Sequence, residues 1–315
     1  MRGLVQGVGF RPFIYRIAVE NQLKGYVLNL GDAGVEVSVE GNDGDIAKFI
    51  DDIALKKPSV AKIESIETRW GNFEGKYQRF EIAKSNEEKL SVRSVIPTDL
   101  GICDLCITDI SQHSRWEDYP FTSCAQCGPR YTMIKELPYD RHNTSMVDFP
   151  LCEYCKSEYE NPNDRRYDAQ GISCPICGPR LELFDSKGAN VEGNPLTVAA
   201  NLLKEGSIIA LKGIGGFHIA VDATNERVVA ELRKRRKRPF QPFAVMSYST
   251  NNVKDYALVS DIERDLLTNI YHPIVSLKKS NDYFLSYLVS PGLDTIGVML
   301  PYTGIHHLLL KKFDG

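Results

Sequence analysis

Cys124-Ala125-Gln126-Cys127-Gly128-Pro129-Arg130 returns fifty residues further on as Cys174-Pro175-Ile176-Cys177-Gly178-Pro179-Arg180. Around this repeat, all eight cysteines of the 315-residue chain fall into four CxxC pairs: Cys103/Cys106, Cys124/Cys127, Cys152/Cys155 and Cys174/Cys177. A CxxC pair sets two thiolates on one tight turn. Two such pairs about twenty residues apart supply the tetrahedral sulfur cage that Zn²⁺ prefers. Disulfides are the competing reading, but they need an oxidising compartment. The opening MRGLVQGVGF lacks the apolar core of a secretory signal, so a cytoplasmic setting is expected.

Every ligand position is a cysteine, with none left open to water or substrate, so two structural zinc ions are expected. The simplest pairing is sequential, the first four cysteines on one ion and the last four on the other. An interleaved pairing is the alternative. Eight thiolates around two dications leave each cage with a formal charge of −2, which favours nearby N–H donors and cations. Arg130 and Arg180, at the ends of the repeated motif, are candidates to supply them. Arg115-Trp116 has a counterpart in Arg166-Tyr167.

The remaining composition is that of a soluble globular protein: 43% hydrophobic, 25% charged, net charge −3. That balance gives no general basic surface for nucleic acid, and no apolar run reaches the ~18 residues of a bilayer span.

Towards the N-terminus, Val5-Gln6-Gly7-Val8-Gly9-Phe10-Arg11-Pro12 leads into a helix-spaced run of Phe13, Ile14, Ile17 and Ala18. A glycine loop feeding a helix N-terminus offers backbone N–H groups and a positive dipole end, and Arg11 adds a guanidinium fork suited to phosphate. A tight turn with a surface arginine is the other reading. Strands are expected at Gly25 to Leu30, Val35 to Glu40, Ile63 to Trp70 and Gln78 to Ile82, with a helix from Asp45 to Leu55. This is the ferredoxin-like split order.

The motifs Val5-Gln6-Gly7-Val8-Gly9-Phe10-Arg11 and Gly25-Tyr26-Val27-Leu28-Asn29 resemble the acylphosphatase family. The resemblance implies that Gln6, Gly7, Val8, Gly9 and Phe10 form the phosphate loop, that Arg11 binds the phosphoryl group, and that Asn29 orients the attacking water. One departure stands out. Only Gly3, Leu4 and Val5 remain of the strand before the loop, and shortening an interior strand removes ladder bonds from both neighbours. A start further upstream is expected.

In the C-terminal segment a helix is expected over Val198 to Lys204, and Ile208 to Leu211 reads as a strand buried on both faces. The turn Lys212-Gly213-Ile214-Gly215-Gly216-Phe217-His218 follows. A helix from Glu226 runs into six consecutive cations, Arg233 to Arg238. Such a run opposite a glycine turn suits either a nucleotide polyphosphate or a nucleic acid.

Three further motifs join that turn: Asp222-Ala223-Thr224-Asn225, Arg236-Lys237-Arg238-Pro239 with Pro242-Phe243-Ala244-Val245-Met246, and Gly297-Val298-Met299-Leu300-Pro301-Tyr302-Thr303. Together they resemble the YrdC-like domain, in the form found in the hydrogenase maturation carbamoyltransferases, the HypF family. The resemblance implies an α+β multidomain chain: an acylphosphatase-like domain (1–84), a double four-cysteine zinc-finger region (97–183) and a truncated YrdC-like nucleotide-binding domain (190–315).

It also implies a relay in which carbamoyl phosphate is hydrolysed, and the carbamate is adenylated by ATP with Mg²⁺. The carbamoyl group then passes, through a domain lacking here, to the C-terminal cysteine of a HypE-type acceptor. Lys212, Arg236 and Arg238 would hold the ATP phosphates, and His218 is a candidate for the carbamate pocket, with His306 and His307 nearby in the motif. Gln241 and Gly304 depart from the family's usual lysine and proline, which implies a weaker basic phosphate site. The chain stops at Lys311-Lys312-Phe313-Asp314-Gly315, inside the YrdC-like domain, and is therefore expected to be a fragment or one product of a split gene. No membrane partner is expected, and nucleic acid is a poor fit. The alternative is a zinc-dependent RNA-binding protein related to the tRNA threonylcarbamoyl-adenylate synthases.

Overall fold

The computed structural model describes residues 1–5, 7–30, 34–58, 60–83, 98–112, 114–136 and 139–315. Gln6 and the polar segment from Ser85 to Ser91 lie outside the described residues. The chain divides into two compact units. One joins Met1–Asp99 to Thr122–Gly178, and the other joins Leu100–Phe121 to Pro179–Gly315.

The N-terminal elements are β1 (Arg2–Leu4), α1 (Phe10–Glu20), β2 (Lys24–Asn29), β3 (Val35–Glu40), α2 (Asp43–Lys56), β4 (Lys62–Ser65) and β5 (Phe80–Ile82). Phe10, Phe13, Ile14, Ile17 and Ala18 recur on one side of α1 and are buried, where the helix packs on β2, β5 and α2. β2 and β3 form an antiparallel hairpin with Asn29 opposite Val35, and β5 runs parallel to β2.

Among the described residues, β1 pairs only with β4, antiparallel. It touches the other sheet at one point, where the Met1 amine donates to the Val35 carbonyl (2.8 Å) and the Val35 amide donates back (2.9 Å). The spatial order β4-β1-β3-β2-β5 is thus split at its middle by a three-residue strand. The expectation of a strand to Trp70 is corrected: β4 ends at Ser65, where its ladder with β1 ends opposite Arg2. Beyond it Ile66, Trp70 and Phe73 are exposed.

The cysteine region carries two short helices, α3 (Asp104–Ser111) and α4 (Glu153–Glu160). The C-terminal elements are α5 (Pro195–Lys204), β6 (Ile209–Lys212), β7 (Phe217–Ala220), α6 (Glu226–Arg236), β8 (Ala244–Met246), α7 (Thr250–Lys254), α8 (Asp261–Leu267), β9 (Val275–Lys278), β10 (Thr295–Met299) and α9 (Gly304–Phe313). β10 lies between β8, parallel, and β9, antiparallel. Leu267, Leu277, Ile296 and Val298 close the core there. α5 starts on Asn194, whose side chain accepts the Thr197 amide, with Pro195 in the first turn, and packs along α9.

β6 is not buried on both faces as expected. Among the described residues it forms a two-stranded ribbon with β7 alone, so its residues alternate between half-buried and exposed, and Phe217 across from Lys212 is 64% exposed. A continuous apolar run predicts an interior strand, but it does not report how many neighbours the strand finds. Gly304, one of the family departures, has a steric reason. A Cβ there would lie 2.3 Å from the Pro120 carbonyl oxygen, so α9 can only begin against that carbonyl with glycine.

Candidate active site and cysteine cages

The eight sulfurs form two groups, Cys103/Cys106/Cys124/Cys127 and Cys152/Cys155/Cys174/Cys177, each with its ligand atoms within 4.8 Å of one another. The pairing is sequential, and interleaving is excluded. Neighbouring sulfurs are 3.7 Å apart in the Cys124–Cys127, Cys152–Cys174 and Cys174–Cys177 pairs. A tetrahedron of ~2.3 Å Zn–S bonds has edges of ~3.8 Å, so the cages fit zinc without rearrangement. Cys103 and Cys152 are the N-caps of α3 and α4, which leaves Cys106 and Cys155 buried in the first turns. Burial pushes the Cys152 thiol up, but donation from the Cys155 backbone and the Cys174 and Cys177 side chains outweighs it and brings it to about 7. A zinc ion bound here would organise these turns; a four-sulfur shell leaves it no place for substrate.

Arg130 lies against the Cys124–Cys127 turn, and its guanidinium bonds carbonyls there. Its guanidinium is buried and fans onto main-chain carbonyls: Nε to Gly7 (2.8 Å), Nη1 to Cys127 and Pro129 (2.8 and 2.9 Å), Nη2 to Ala125 and Cys124 (3.0 and 3.4 Å). Its main-chain N–H reaches Asp99 at 2.7 Å. Arg180 is exposed.

One of those carbonyls belongs to the glycine loop. Gly7 (φ 64°) and Gly9 (φ 71°) are both left-handed, a geometry that turns successive N–H groups towards a common point. Gly9 is the N-cap of α1. A Cβ on it would be strained at that φ and would lie 3.2 Å from the Ala125 Cβ. Val8 and Phe10 are buried and fix the loop from below.

Arg11 sits in the first turn of α1, and its Nη2 meets Asp168 Oδ2 at 2.8 Å. Burial raises the Asp168 carboxyl above the usual range, against the lowering effect of Arg11 and Gln170. Asn29 ends β2. β1 and β2 both run antiparallel to β3, so α1 joins parallel strands, and the end of β2 shares a sheet edge with the loop. The repeat points to Arg130, since an arginine closes each CxxCGP motif, but not to the carbonyls it binds; Asp168 carries no such signal in the sequence.

At the other candidate site the β6–β7 ribbon sets Leu211 opposite His218 and Lys212 opposite Phe217, and the Lys212 ammonium lies over the Phe217 ring. Under the Gly213 turn, His218 Nε2 meets the Tyr302 hydroxyl at 3.0 Å, and the His218 and His306 rings stack at 4.9 Å. Thr303 Oγ1 bonds His306 Nδ1 at 2.7 Å. Arg236 and Arg238 are exposed at the end of α6, and no hydrogen bond or ion pair joins them to Lys212 among the described residues.

Arg233 is not part of a solvated basic run. It is buried, and it donates to the carbonyls of Leu288 (2.5 Å), Arg238 (2.7 Å), Gln241 (3.1 Å) and Val289 (3.1 Å). His307 pairs instead with Tyr248, ring to ring at 4.9 Å.

Burial, with some repulsion from His218, holds His306 down at about 3. The unfolded chain, titrating near 6.5, binds the proton that the folded state refuses. Stability is therefore intact above pH 6.5 and falls by about 1.4 kcal/mol per pH unit as pH drops from there towards 3. In urea unfolding at pH 7 and pH 5, wild type should lose about 2 kcal/mol more than His306→Phe. Equal losses would mean that His306 is protonated within the fold.

Three family models match the chain: "Acylphosphatase" over residues 1–82, "HypF finger" over 102–134 and 151–184, and a Sua5/YciO/YrdC family described as "Telomere recombination" over 201–315. An acylphosphatase-like part, tandem four-cysteine fingers and a YrdC-like part thus stand together in one multidomain chain. The chain is 41% identical to the carbamoyltransferase HypF of Rhodobacter capsulatus over all of its length, and 48% identical to the probable carbamoyltransferase HypF of Methanocaldococcus jannaschii over 99% of it.

Two solved structures superpose on 98% of the chain. One is a full-length HypF in a phosphate- and nucleotide-bound form (TM-score 0.89, 42% identity), and the other is T. kodakarensis HypF (TM-score 0.81, 48% identity). The chain belongs to the HypF family. It spans about two-fifths of the length of these relatives: 41% of each curated sequence, and 40% and 39% of the two structures.

Proposed function

We propose that this chain carries the first two steps of a carbamoyl transfer: hydrolysis of carbamoyl phosphate at the glycine loop, then ATP-dependent adenylation of the carbamate in the YrdC-like part. The observation that carries the first step is the loop itself. Two left-handed glycines turn main-chain N–H groups inward at the start of α1, and a cation follows at Arg11. That is a cradle for a phosphoryl dianion. Arg11 and the loop amides hold the phosphoryl oxygens and stabilise the charge that grows on them in the transition state. Asn29, on the same sheet edge, orients a water in line with the leaving carbamate. A carboxylate-like leaving group needs no protonation, so a positioned neutral water suffices. The products are carbamate and inorganic phosphate.

For the second step, a carbamate oxygen attacks the α-phosphorus of ATP and pyrophosphate leaves. Lys212, Arg236 and Arg238 are the cations for the phosphates, which Mg²⁺ accompanies as part of the substrate. The His218–Tyr302–His306 cluster under the Gly213 turn supports a small polar pocket beside Lys212. Delivery to a HypE-type cysteine in hydrogenase maturation, in the cytoplasm, follows from the family reading and from no residue of this chain. The rival reading, RNA binding, loses support because Arg233 is taken from the basic run by main-chain carbonyls.

Arg11→Ala should lower kcat/KM for carbamoyl or acetyl phosphate about 100-fold, by removing one transition-state donor. Phosphate release is the readout, with zinc content and circular dichroism unchanged. An unaltered rate in a folded variant would remove the hydrolase assignment.

A further inference from the structure

The two fingers carry the same device and aim it at different targets. Asp118 and Asp168 are fifty residues apart, in step with Cys124 and Cys174, and both adopt left-handed φ (55° and 53°). The Arg115-Trp116 match to Arg166-Tyr167 is accordingly shifted by one, with Trp116 equivalent to Arg166. Each aspartate donates its main-chain N–H to the end of the preceding helix, Asp118 to Ile110 and Asp168 to Tyr159, both at 3.0 Å. Non-glycine residues adopt this backbone at a cost and only where the surroundings fix it. Each carboxylate then takes a cation remote in sequence, Asp118 from Lys312 (3.2 Å) and Asp168 from Arg11 (2.8 Å).

Only the second copy is further elaborated. Asp168 Oδ1 accepts Gln170 Nε2 at 2.8 Å and the Tyr159 hydroxyl at 3.4 Å. The equivalent positions of the first copy are Pro120 and Ile110, which have no side-chain donor. Asp168 is therefore held on one oxygen by its own finger and offers the other to Arg11.

We propose that Asp168 is the positioning residue of the acyl-phosphate site: the second finger anchors one terminal nitrogen of Arg11, so that the rest of the guanidinium fork is presented to phosphoryl oxygens. The proposal rests on Arg11 being the phosphoryl-binding group. Anchoring differs from competition in its geometry. A carboxylate standing in for phosphate takes the fork with both oxygens, whereas here Oδ2 alone meets Nη2. A group pinned by a left-handed backbone and two donors is also poorly placed to swing away. The finger thereby supplies a part of the hydrolase from outside the first 84 residues.

The test uses the whole chain with zinc bound, inorganic phosphate as the calorimetric ligand and acetyl phosphate as the substrate. Asp168→Asn should weaken phosphate binding about tenfold and raise KM to match, with kcat changed much less and zinc content unchanged. Arg11→Gln should weaken phosphate at least as much, and the double variant should be no weaker than Arg11→Gln alone. Gln170→Leu, which removes one support of Oδ1, should give a smaller loss of the same sign and carries the test if Asp168→Asn does not fold. Tighter phosphate binding in Asp168→Asn would show a competing carboxylate and overturn the proposal, as would unchanged binding or additive losses. If Arg11→Gln itself left phosphate binding intact, the reading of Arg11 would fall and the proposal with it.

Discussion

Replacing Cys155 by serine is expected to empty the second cage and unfold the segment it holds. Cys155 is fully buried, and a serine hydroxyl cannot replace the thiolate that makes the fourth zinc bond. The region has few apolar residues to hold it otherwise; Ile172, Ala169 and Met133 are its main buried ones. Structural zinc contributes about 10–16 kcal/mol in isolated fingers, more than such a core can replace. Metal analysis should fall from two zinc ions per chain to one, and trypsin should cut within residues 139–178, where Arg141, Arg165 and Arg166 become accessible. Retention of both ions by Cys155→Ser would exclude the second cage as described. Since Asp168 sits in that segment, hydrolysis should fall with the metal.

Arg130→Met should destabilise the unit built from Met1–Asp99 and Thr122–Gly178 by about 3–5 kcal/mol, the cost of stripping a buried charge from its partners. Five carbonyls lose their donor at once, and each buried unpaired acceptor costs about 1–3 kcal/mol before relaxation. For a unit of this size the melting temperature should drop by roughly 10 °C. Arg130→Lys should recover little, because a single ammonium cannot fan across acceptors on both sides of the knuckle. The bond to the Gly7 carbonyl ties this change to the phosphate loop, so hydrolysis should decline ahead of melting. A melting point within a degree or two of wild type would mean that the carbonyls find water or other donors.

The cysteine spacing made the cages legible before any coordinates, because a CxxC turn is a local object whose geometry its own four residues define. The α1 face and the β2–β3 hairpin were legible for the same reason. Arg233 was legible in principle: it follows Val229 by four residues, as Leu232 follows Val228, and so falls on the buried face of α6, but six adjacent cations hid the period. The extent of β4 was not legible, since it ends where its ladder with a strand about sixty residues away ends. Nor was the Arg11–Asp168 pair, which joins residues 157 positions apart. The exposed ribbon of β6 and β7 shows the same limit, because an apolar run reports what a strand tolerates and says nothing of how many neighbours it finds.

All eight cysteines of the chain fall in the two four-sulfur cages. No thiol is left over for surface chemistry, so any sulfhydryl that reacts with an alkylating dye reports a vacated cage. Labelling stoichiometry becomes a direct gauge of metal occupancy, read in steps of four. Oxidative damage is equally undivided: every sulfur lost to peroxide is a tether lost from a finger.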